Sequence, residues 1–280
     1  MTTPATTLTV SCIQISSVPE LAENLKTAEG LIRQAKEQGA EMVILPENVG
    51  CMARERKVKL SQAYPEPEHP AVLKFAALAR ELKLWIVGGS LSVMPPENAS
   101  DKMANRSLVF NPFGAIVGRY DKIHLYDATP KPGEIYRESG EIIPGDKAVL
   151  VDTPWGKLGL SICYDVRFPH LYRTLAQAGA VMLSVPAAFT QTTGKVHWHV
   201  LLRARAIETG CFVFAPAQTG THDGGRKTYG HSLIISPWGD VLADGEDKVG
   251  IITAKIDLNK VAEARKAIPA LKHDRSFDIE

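Results

Sequence analysis

The chain has 280 residues, of which 45% are apolar and 22% charged, and its formal net charge is +1. This composition predicts a globular protein, and the length allows one large core or two smaller ones; single α/β domains of this length are common. Lysine and arginine are spread along the chain rather than gathered into a basic stripe, so no nucleic-acid partner is expected. No apolar run approaches the roughly 20 residues that a membrane-spanning helix requires, so no membrane partner is expected.

The first part of the chain alternates between strand-like and helix-like patterns. An apolar run at 7–15 predicts a strand, 41–48 a short buried strand and 84–93 another strand. Residues 69–83 predict an amphipathic helix. Another helix is predicted between the first two strands, where apolar side chains recur on one face before a glycine stop: Leu21, Leu25, Ala28, Leu31, Ile32 and Ala35, then Gly39.

The second part continues the alternation. Strands are predicted for the apolar segments 158–163, 181–189, 211–218, 231–244 and 250–257. Helices are predicted at 169–180, which proline opens and glycine closes, at 196–210 and at 258–268. A polar residue, proline, an aromatic and glycine occur together at 111–114, 153–156 and 236–239. Each set lies between two strand-like runs and predicts the turn of a β-hairpin.

Hairpins combined with strand–helix alternation favour mixed sheets covered by helices, in one layered α/β domain over residues 1–280. The polar segments 52–70, 95–106 and 220–232 are predicted to be surface loops, and loops of this length are often functional. The N-terminus lacks the basic start of a signal peptide, which predicts a cytoplasmic protein. The chain has four cysteines, Cys12, Cys51, Cys163 and Cys211. They contain no C-x-x-C pair and are expected to be reduced thiols.

Three residues stand at the ends of strand-like runs and combine into a plausible reaction centre. Glu47 follows a buried strand and a proline, although its own window alone favours a solvated loop residue. Lys122 shares one face of a predicted strand with His124, and Cys163 precedes a strand-to-helix turn. An ammonium group favours a thiolate, and a carboxylate can take up and return a proton. The set predicts acyl transfer, but spacing alone leaves its convergence open.

Other chemistries have weaker support in the sequence. The dinucleotide-binding glycine motif, the P-loop and the serine-hydrolase G-x-S-x-G motif are absent. His197 and His199 lie two apart on a predicted helix and point away from each other, so no metal site is expected.

The chain resembles the nitrilase superfamily of carbon–nitrogen hydrolases over essentially its whole length. The resemblance rests on Pro46-Glu47-Asn48, on DKIHL at 121–125, on CYDVRFPHLYRTLAQAGA from Cys163, and on the segments around 186–209, 217–222 and 229–243. It implies a four-layer α-β-β-α sandwich, a homodimer or higher homo-oligomer formed through the helices that flank the cysteine, and no metal or organic cofactor.

The resemblance also implies the roles of individual residues. Glu47, Lys122 and Cys163 would form the catalytic set, and Glu138 would be a second glutamate that positions the lysine or the substrate, with Glu134 and Glu141 as competitors for that role. The backbone N–H of Tyr164 would join Lys122 in binding the oxyanion, and Asp165 and Arg167 would brace the turn. Candidates for binding a substrate carboxylate are Arg167, Arg226 and Lys227.

Tyr164-Asp165 after the cysteine resembles the amidase branches rather than the nitrile-hydrolysing ones. The resemblance is greatest to the branch that hydrolyses deaminated glutathione, an α-keto acid amide, through a cysteine thioester, with water as the second substrate. The alternatives are an ω-amidase acting on 2-oxoglutaramate or 2-oxosuccinamate, and another small-amide or N-carbamoyl hydrolase. Two further hypotheses are a papain-like Cys–His hydrolase that uses His197 or His231, and a non-enzymatic binding protein. The presence of all four expected catalytic residues argues against the binding protein.

Overall fold

The computed structural model of the chain describes residues 5–95 and 101–280. Within these ranges there are six α-helices, which have the following bounds: α1 (Leu21–Glu37), α2 (Arg56–Ser61), α3 (Pro70–Leu82), α4 (Pro169–Gln177), α5 (Gln191–Thr209) and α6 (Asn259–Ala267). Five of the six apolar residues predicted for one face of α1 are buried and Leu31 is half-buried, which confirms the orientation read from the 3.6-residue period.

Nine strands of the described residues form a first, mixed sheet: β1 (Thr7–Gln14), β2 (Met42–Ile44), β3 (Tyr64–Pro65), β4 (Trp85–Val87), β5 (Leu91–Met94), β6 (Met103–Phe110), β7 (Ile116–Asp121), β10 (Ile142–Ile143) and β19 (Gly250–Asp257). Its main order is β19-β1-β2-β4-β6-β5-β3, and β7 and β10 also pair with β6. The central β1, β2 and β4 run parallel, with Val10 opposite Met42 and Met42 opposite Trp85.

Six described strands form a second sheet in the order β11-β12-β13-β14-β17-β18: β11 (Leu150–Thr153), β12 (Gly156–Leu160), β13 (Ala180–Ser184), β14 (Phe212–Ala215), β17 (Leu233–Ile235) and β18 (Val241–Asp244). Two ribbons complete the described strands: β8 (Asp127–Lys131) with β9 (Glu134–Arg137), and β15 (Thr219–Thr221) with β16 (Lys227–Tyr229).

The order of the layers is visible in the packing of the core. One buried cluster joins Val10 and Ile44 of the first sheet to Leu158 and Met182 of the second sheet and to Trp198 of α5. A separate cluster packs the other face of the first sheet against α1 and α3. The sheets therefore face each other with helices outside both, which confirms the four-layer α-β-β-α sandwich.

All three predicted hairpin turns are confirmed. The segments at 111–114, 153–156 and 236–239 connect the antiparallel pairs β6–β7, β11–β12 and β17–β18. Their last residues, Gly114, Gly156 and Gly239, have φ of 77°, 111° and 90°, a region that a side chain disfavours.

Several local predictions were wrong. The predicted strand 84–93 is two strands, because the chain turns at Gly89, whose φ is 62° and where a Cβ would lie 2.0 Å from the carbonyl oxygen of Pro46. Helix α5 begins at Gln191 rather than 196, and its Gly194 gives room to the ring of Tyr229 instead of breaking the helix. Strand β7 ends at Asp121, so Lys122 and His124 follow a strand rather than lying within one.

The three polar segments are also more structured than predicted. Segment 52–70 contains α2, β3 and a short 3₁₀ turn, and segment 220–232 contains β16 and the end of β15. Segment 95–106 includes the start of β6, while its residues 96–100 lie outside the described residues. In the part of the chain that the structure describes, every helix lacks the combination of length and apolarity needed to cross a bilayer.

Candidate active site

The predicted nucleophile lies at a strained position. After β12 the chain enters a 3₁₀ turn, Cys163–Arg167, and Cys163 at its start has a φ of 48°. A residue with a Cβ is uncommon in this left-handed region, and such strain occurs preferentially at functional sites. The Cys163 N–H donates to the Pro186 carbonyl at 2.9 Å, and the side chain is buried just beyond the C-terminal end of β12.

Glu47 lies beside this cysteine rather than in solvent, which corrects the expectation from its own window. The residue is 2% exposed, and its Oε2 accepts the Ala188 N–H at 2.8 Å. Its Oε1 accepts the Lys122 ammonium at 2.8 Å and the Asn105 amide at 3.0 Å. The carboxylate is therefore held by donors from three different segments of the chain.

Lys122 lies between two carboxylates. Its Nζ donates to Glu47 and, at 3.0 and 2.8 Å, to both carboxylate oxygens of Glu138. Glu138 is held by the Tyr126 N–H at 2.6 Å. Of the three glutamates considered, Glu138 is the one that contacts Lys122, because Glu141 pairs with Lys59 and Glu134 accepts hydrogen bonds from Tyr136 and Thr192.

The charges in this cluster depend on one another. Burial opposes ionisation of Glu47, but Lys122, with smaller contributions from Cys163 and Arg226, favours it, and together they hold the pKa of Glu47 below its ordinary value. Burial also opposes the charge of Lys122, but Glu138 and Glu47 favour it, so its pKa is raised. Burial and the negative charge of Glu47 raise the pKa of the Cys163 thiol well above its ordinary value, although Lys122 opposes this. The resting site therefore holds a neutral thiol beside an ionised Glu47.

Asp165 braces the turn that carries the cysteine. Its fully buried carboxylate accepts the N–H of Ile162 at 2.8 Å, the hydroxyl of Tyr120 at 2.6 Å and the N–H of His124 at 3.1 Å, and its Oδ1 lies 2.7 Å from His124 Nδ1. Arg167 does not share this role: it lies over the rings of Tyr164 and Phe189, and its Nη2 lies 3.3 Å from His197 Nδ1.

A cavity of about 910 Å³ opens onto Cys163, within the size range typical of small-molecule sites. Glu47, Lys122 and Glu138 line it, as do all four residues predicted to bind the oxyanion or the substrate: Tyr164, Arg167, Arg226 and Lys227. Arg226 is half-buried and donates to the Ala188 carbonyl at 2.8 Å, whereas Lys227 is exposed at the rim. The structure therefore brings every predicted site residue to one cavity.

Asn105 was not predicted as a site residue, yet its Nδ2 reaches Glu47 at 3.0 Å and Glu138 at 3.3 Å, so that one amide spans both carboxylates. Tyr120 and the role of His124 on Asp165 were not predicted either. Asn105 lies in the segment 95–106 that was predicted to be a loop, and a buried strand interrupted by asparagine was the signal that could have identified it.

Comparison with known proteins gives one consistent family. Residues 9–266 match the family described as Carbon-nitrogen hydrolase. Deaminated glutathione amidase of Synechocystis sp. is 44% identical over 266 residues, covering 94% of this chain and 96% of that protein. The protein of that name from Homo sapiens is 41% identical over 270 residues, covering 95% and 82%.

Two solved structures are similar over nearly all of this chain. The NitFhit protein of C. elegans has a TM-score of 0.87 at 36% identity, covering 98% of this chain and 66% of that one. Saccharomyces cerevisiae Nit3, a member of branch 10 of the nitrilase superfamily, has a TM-score of 0.86 at 29% identity, covering 96% and 97%.

The Asp165 network makes a prediction for stability. In Asp165→Asn, an amide NH₂ replaces a carboxylate oxygen and meets buried N–H donors, which leaves at least one of them unpaired. We expect the free energy of unfolding to fall by about 3 kcal/mol, measured by denaturant titration. Asp152→Asn, on an exposed position of β11, is the matched control and should change stability by less than about 0.5 kcal/mol. Equal stability of both variants would contradict a structural role for the Asp165 carboxylate.

Proposed function

This chain belongs to the carbon–nitrogen hydrolase family, within which it is an amidase, and on that premise we propose that its substrate is deaminated glutathione. In this compound a keto oxygen replaces the α-amino group of glutathione. It is a small α-keto acid amide with a carboxylate at each end, and water is the second substrate.

The observation that carries the proposal is a set of arginines around the cavity. Arg54, Arg137, Arg167 and Arg226 all line it, and none of the four forms an ion pair with a carboxylate of the described residues. Cations without anionic partners in a water-accessible cavity favour an anionic ligand. Their number favours a ligand with two carboxylates over one with a single carboxylate.

Arg226 is the candidate for the carboxylate nearer the scissile amide. Its guanidinium donates to the carbonyl of Ala188, the residue whose N–H holds Glu47, and its buried Nε has no partner among the described residues. A buried donor without an acceptor is costly, so a substrate carboxylate would gain a charge-assisted hydrogen bond there. Lys227 and Arg54, which also line the cavity, are candidates for the distal carboxylate.

We propose the following roles for the first half of the reaction. Glu47 accepts the thiol proton while the Cys163 sulfur bonds to the amide carbon. The electron pair of the carbonyl moves to its oxygen, where Lys122 and the Tyr164 N–H stabilise it; this N–H has no acceptor among the described residues. The C–N bond then breaks, Glu47 protonates the leaving amine, and a thioester remains on Cys163.

The second half reuses the same groups. Glu47 takes a proton from water as its oxygen attacks the thioester, and collapse releases the acid and returns the proton to the Cys163 sulfur. Glu138 is proposed as a positioning residue, since it shares Lys122 with Glu47 and so holds the ammonium beside the reacting carbonyl. No step of this scheme requires a metal or an organic cofactor.

The remaining assignments concern the state of the protein. We infer that residues 1–280 form one domain and that the chain acts as a homodimer or higher homo-oligomer in the cytoplasm. Val196, Val200 and Ile207 support association, because they lie on one face of α5 and are 64%, 66% and 53% exposed. The free cysteines among the described residues support a reducing compartment such as the cytoplasm. Cell fractionation would test this location.

The association predicts a particle mass of at least twice the 30.5 kDa of one chain in light scattering. Val196→Asp combined with Val200→Asp should lower this mass to that of a monomer, because charges on an apolar interface must be desolvated. A monomeric native chain would contradict the assignment.

The substrate assignment predicts how cavity variants discriminate between two amides. Arg226→Gln should raise KM about 10- to 100-fold for both deaminated glutathione and 2-oxoglutaramate, because both carry a keto-acid carboxylate. Arg54→Gln and Lys227→Gln should raise KM only for deaminated glutathione, because 2-oxoglutaramate lacks the distal carboxylate. The measurement is quantification of the released products. Lys266→Gln, at an exposed position of α6, is the matched control and should leave KM for both amides unchanged. Cys163→Ala must be inactive on both amides.

Two results would redirect the assignment. A higher kcat/KM for 2-oxoglutaramate in the native chain would favour the ω-amidase alternative. Absence of turnover of both amides would favour another small amide or an N-carbamoyl compound.

The proposed acid–base pair predicts the pH dependence. Glu47 is ionised because its pKa lies below the ordinary 4.5, and Cys163 stays neutral because its pKa lies well above 9.0. We therefore expect kcat/KM to be flat from about pH 6 to about pH 8, since neither group titrates there. A Cys–His pair would instead give an acid limb near about pH 6.5.

The histidines provide the control. His197 and His231 do not line the cavity. His222 does, but both of its ring nitrogens already have partners: Nδ1 lies 2.9 Å from the Ser17 carbonyl oxygen and Nε2 lies 2.6 Å from the Thr228 hydroxyl. His231→Ala should keep near-normal activity and the flat profile. If His231→Ala loses activity and the pH profile of the native chain shows an acid limb near about pH 6.5, the assignment of Glu47 as base is overturned.

A further inference from the structure

A second cluster of titratable side chains lies apart from the catalytic cavity. His199 of α5, His231 before β17 and Asp244 at the end of β18 converge, and none of the three lines the cavity that holds Cys163. His199 Nε2 lies 3.0 Å from Asp244 Oδ2, and His231 Nδ1 lies 3.0 Å from Asp244 Oδ1. One donor atom from each residue lies within 4.8 Å of the other two.

These separations are close to those of a metal site. Zinc binds histidine nitrogen and carboxylate oxygen at about 2.0–2.2 Å, which places the ligand atoms of a tetrahedral site about 3.3 Å apart. With Asp244 Oδ2 as the single carboxylate ligand atom, its separations from His199 Nε2 and His231 Nδ1 are 3.0 and 3.2 Å, within a few tenths of an ångström of this value. The two imidazole nitrogens lie within 4.8 Å of each other. Two imidazoles with one carboxylate are also a donor set that suits Zn²⁺ and its neighbours in the first transition row.

The three side chains are held before any ligand arrives. The ring of His231 stacks on Tyr229 with centroids 4.3 Å apart, and its backbone carbonyl accepts the indole N–H of Trp198, the neighbour of His199 on α5, at 2.7 Å. Asp244 Oδ1 accepts the Glu246 N–H at 2.8 Å. Because helix, loop and strand are tied together in this way, an ion would meet a preorganised set of donors.

The site is also open on one side. The side chains of His199, His231 and Asp244 are 32%, 25% and 30% exposed, which leaves an entry path and room for water as a further ligand. A hydrogen-bonded His–Asp–His cluster without an ion would need a proton on each ring nitrogen that faces Asp244. An ion displaces these two protons and bonds to all three residues at once.

We propose that His199, His231 and Asp244 bind one divalent ion of the zinc class, with water completing the coordination. The ion would tether α5 to the β17–β18 hairpin on the helix-covered side of the second sheet. This proposal does not depend on the amide that Cys163 hydrolyses.

The test is a metal titration of the untagged chain after removal of metals with a chelator. We expect one equivalent of Co²⁺ to bind with the intense visible absorption of a four-coordinate ion, and Zn²⁺ to displace it. The same spectrum should appear in Cys163→Ala, without a thiolate charge-transfer band, because the proposed ligands are nitrogen and oxygen. Zn²⁺ at about 100 times its Kd should raise Tm by about 5 °C.

Variants decide whether these residues are the ligands. His199→Ala and Asp244→Asn should each weaken binding at least about 100-fold, and His199→Gln, which retains a hydrogen-bond donor toward Asp244, should fold normally and also bind weakly. His273→Ala, at an exposed histidine, should bind as the native chain does. The proposal is overturned if the native chain binds no equivalent of Co²⁺ or Zn²⁺, if binding survives in the His199→Ala/Asp244→Asn double variant, or if a thiolate band appears.

Discussion

The buried ammonium of Lys122 between Glu47 and Glu138 is the interaction on which the rest of the site depends. Removing three charges from water is costly unless every one of them is paired and hydrogen-bonded. Here the Asn105 amide and the N–H groups of Ala188 and Tyr126 provide the additional donors. The same pairing keeps Glu47 ionised beside a neutral Cys163, so the arrangement that makes burial tolerable also suits the proton transfer that we propose.

The two facing sheets meet this requirement because each one delivers part of the cluster. Glu47 and Lys122 follow β2 and β7 of the first sheet, whereas Cys163 and Ala188 follow β12 and β13 of the second. Asp165 connects the two sides, since it binds the Ile162 N–H on the cysteine side and the Tyr120 hydroxyl of β7. One carboxylate therefore ties the turn that carries Cys163 to the first sheet.

Much of the fold could be predicted because its signals are local. The face of α1 follows from a period of 3.6 residues, and the three hairpins follow from proline and glycine at fixed positions. Predictions were wrong where a distant contact decided the conformation. At Gly89, where the chain turns, the Pro46 carbonyl leaves no room for a Cβ, and at Gly194, inside α5, the side chain of Tyr229 occupies the place of one. Neither partner is close in sequence to the glycine that it constrains.

Residue patterns were enough to predict the layered α/β class and the succession of helices and strands, and the family resemblance selected Glu47, Lys122 and Cys163. The three-dimensional fold was needed to show that Glu138 rather than Glu134 or Glu141 contacts Lys122, and that Arg167 does not brace the turn. It alone brought His199, His231 and Asp244 together. Local patterns specify the backbone conformation and the apolar face of each element, whereas a charge cluster forms only where separate segments meet and satisfy one another's charges.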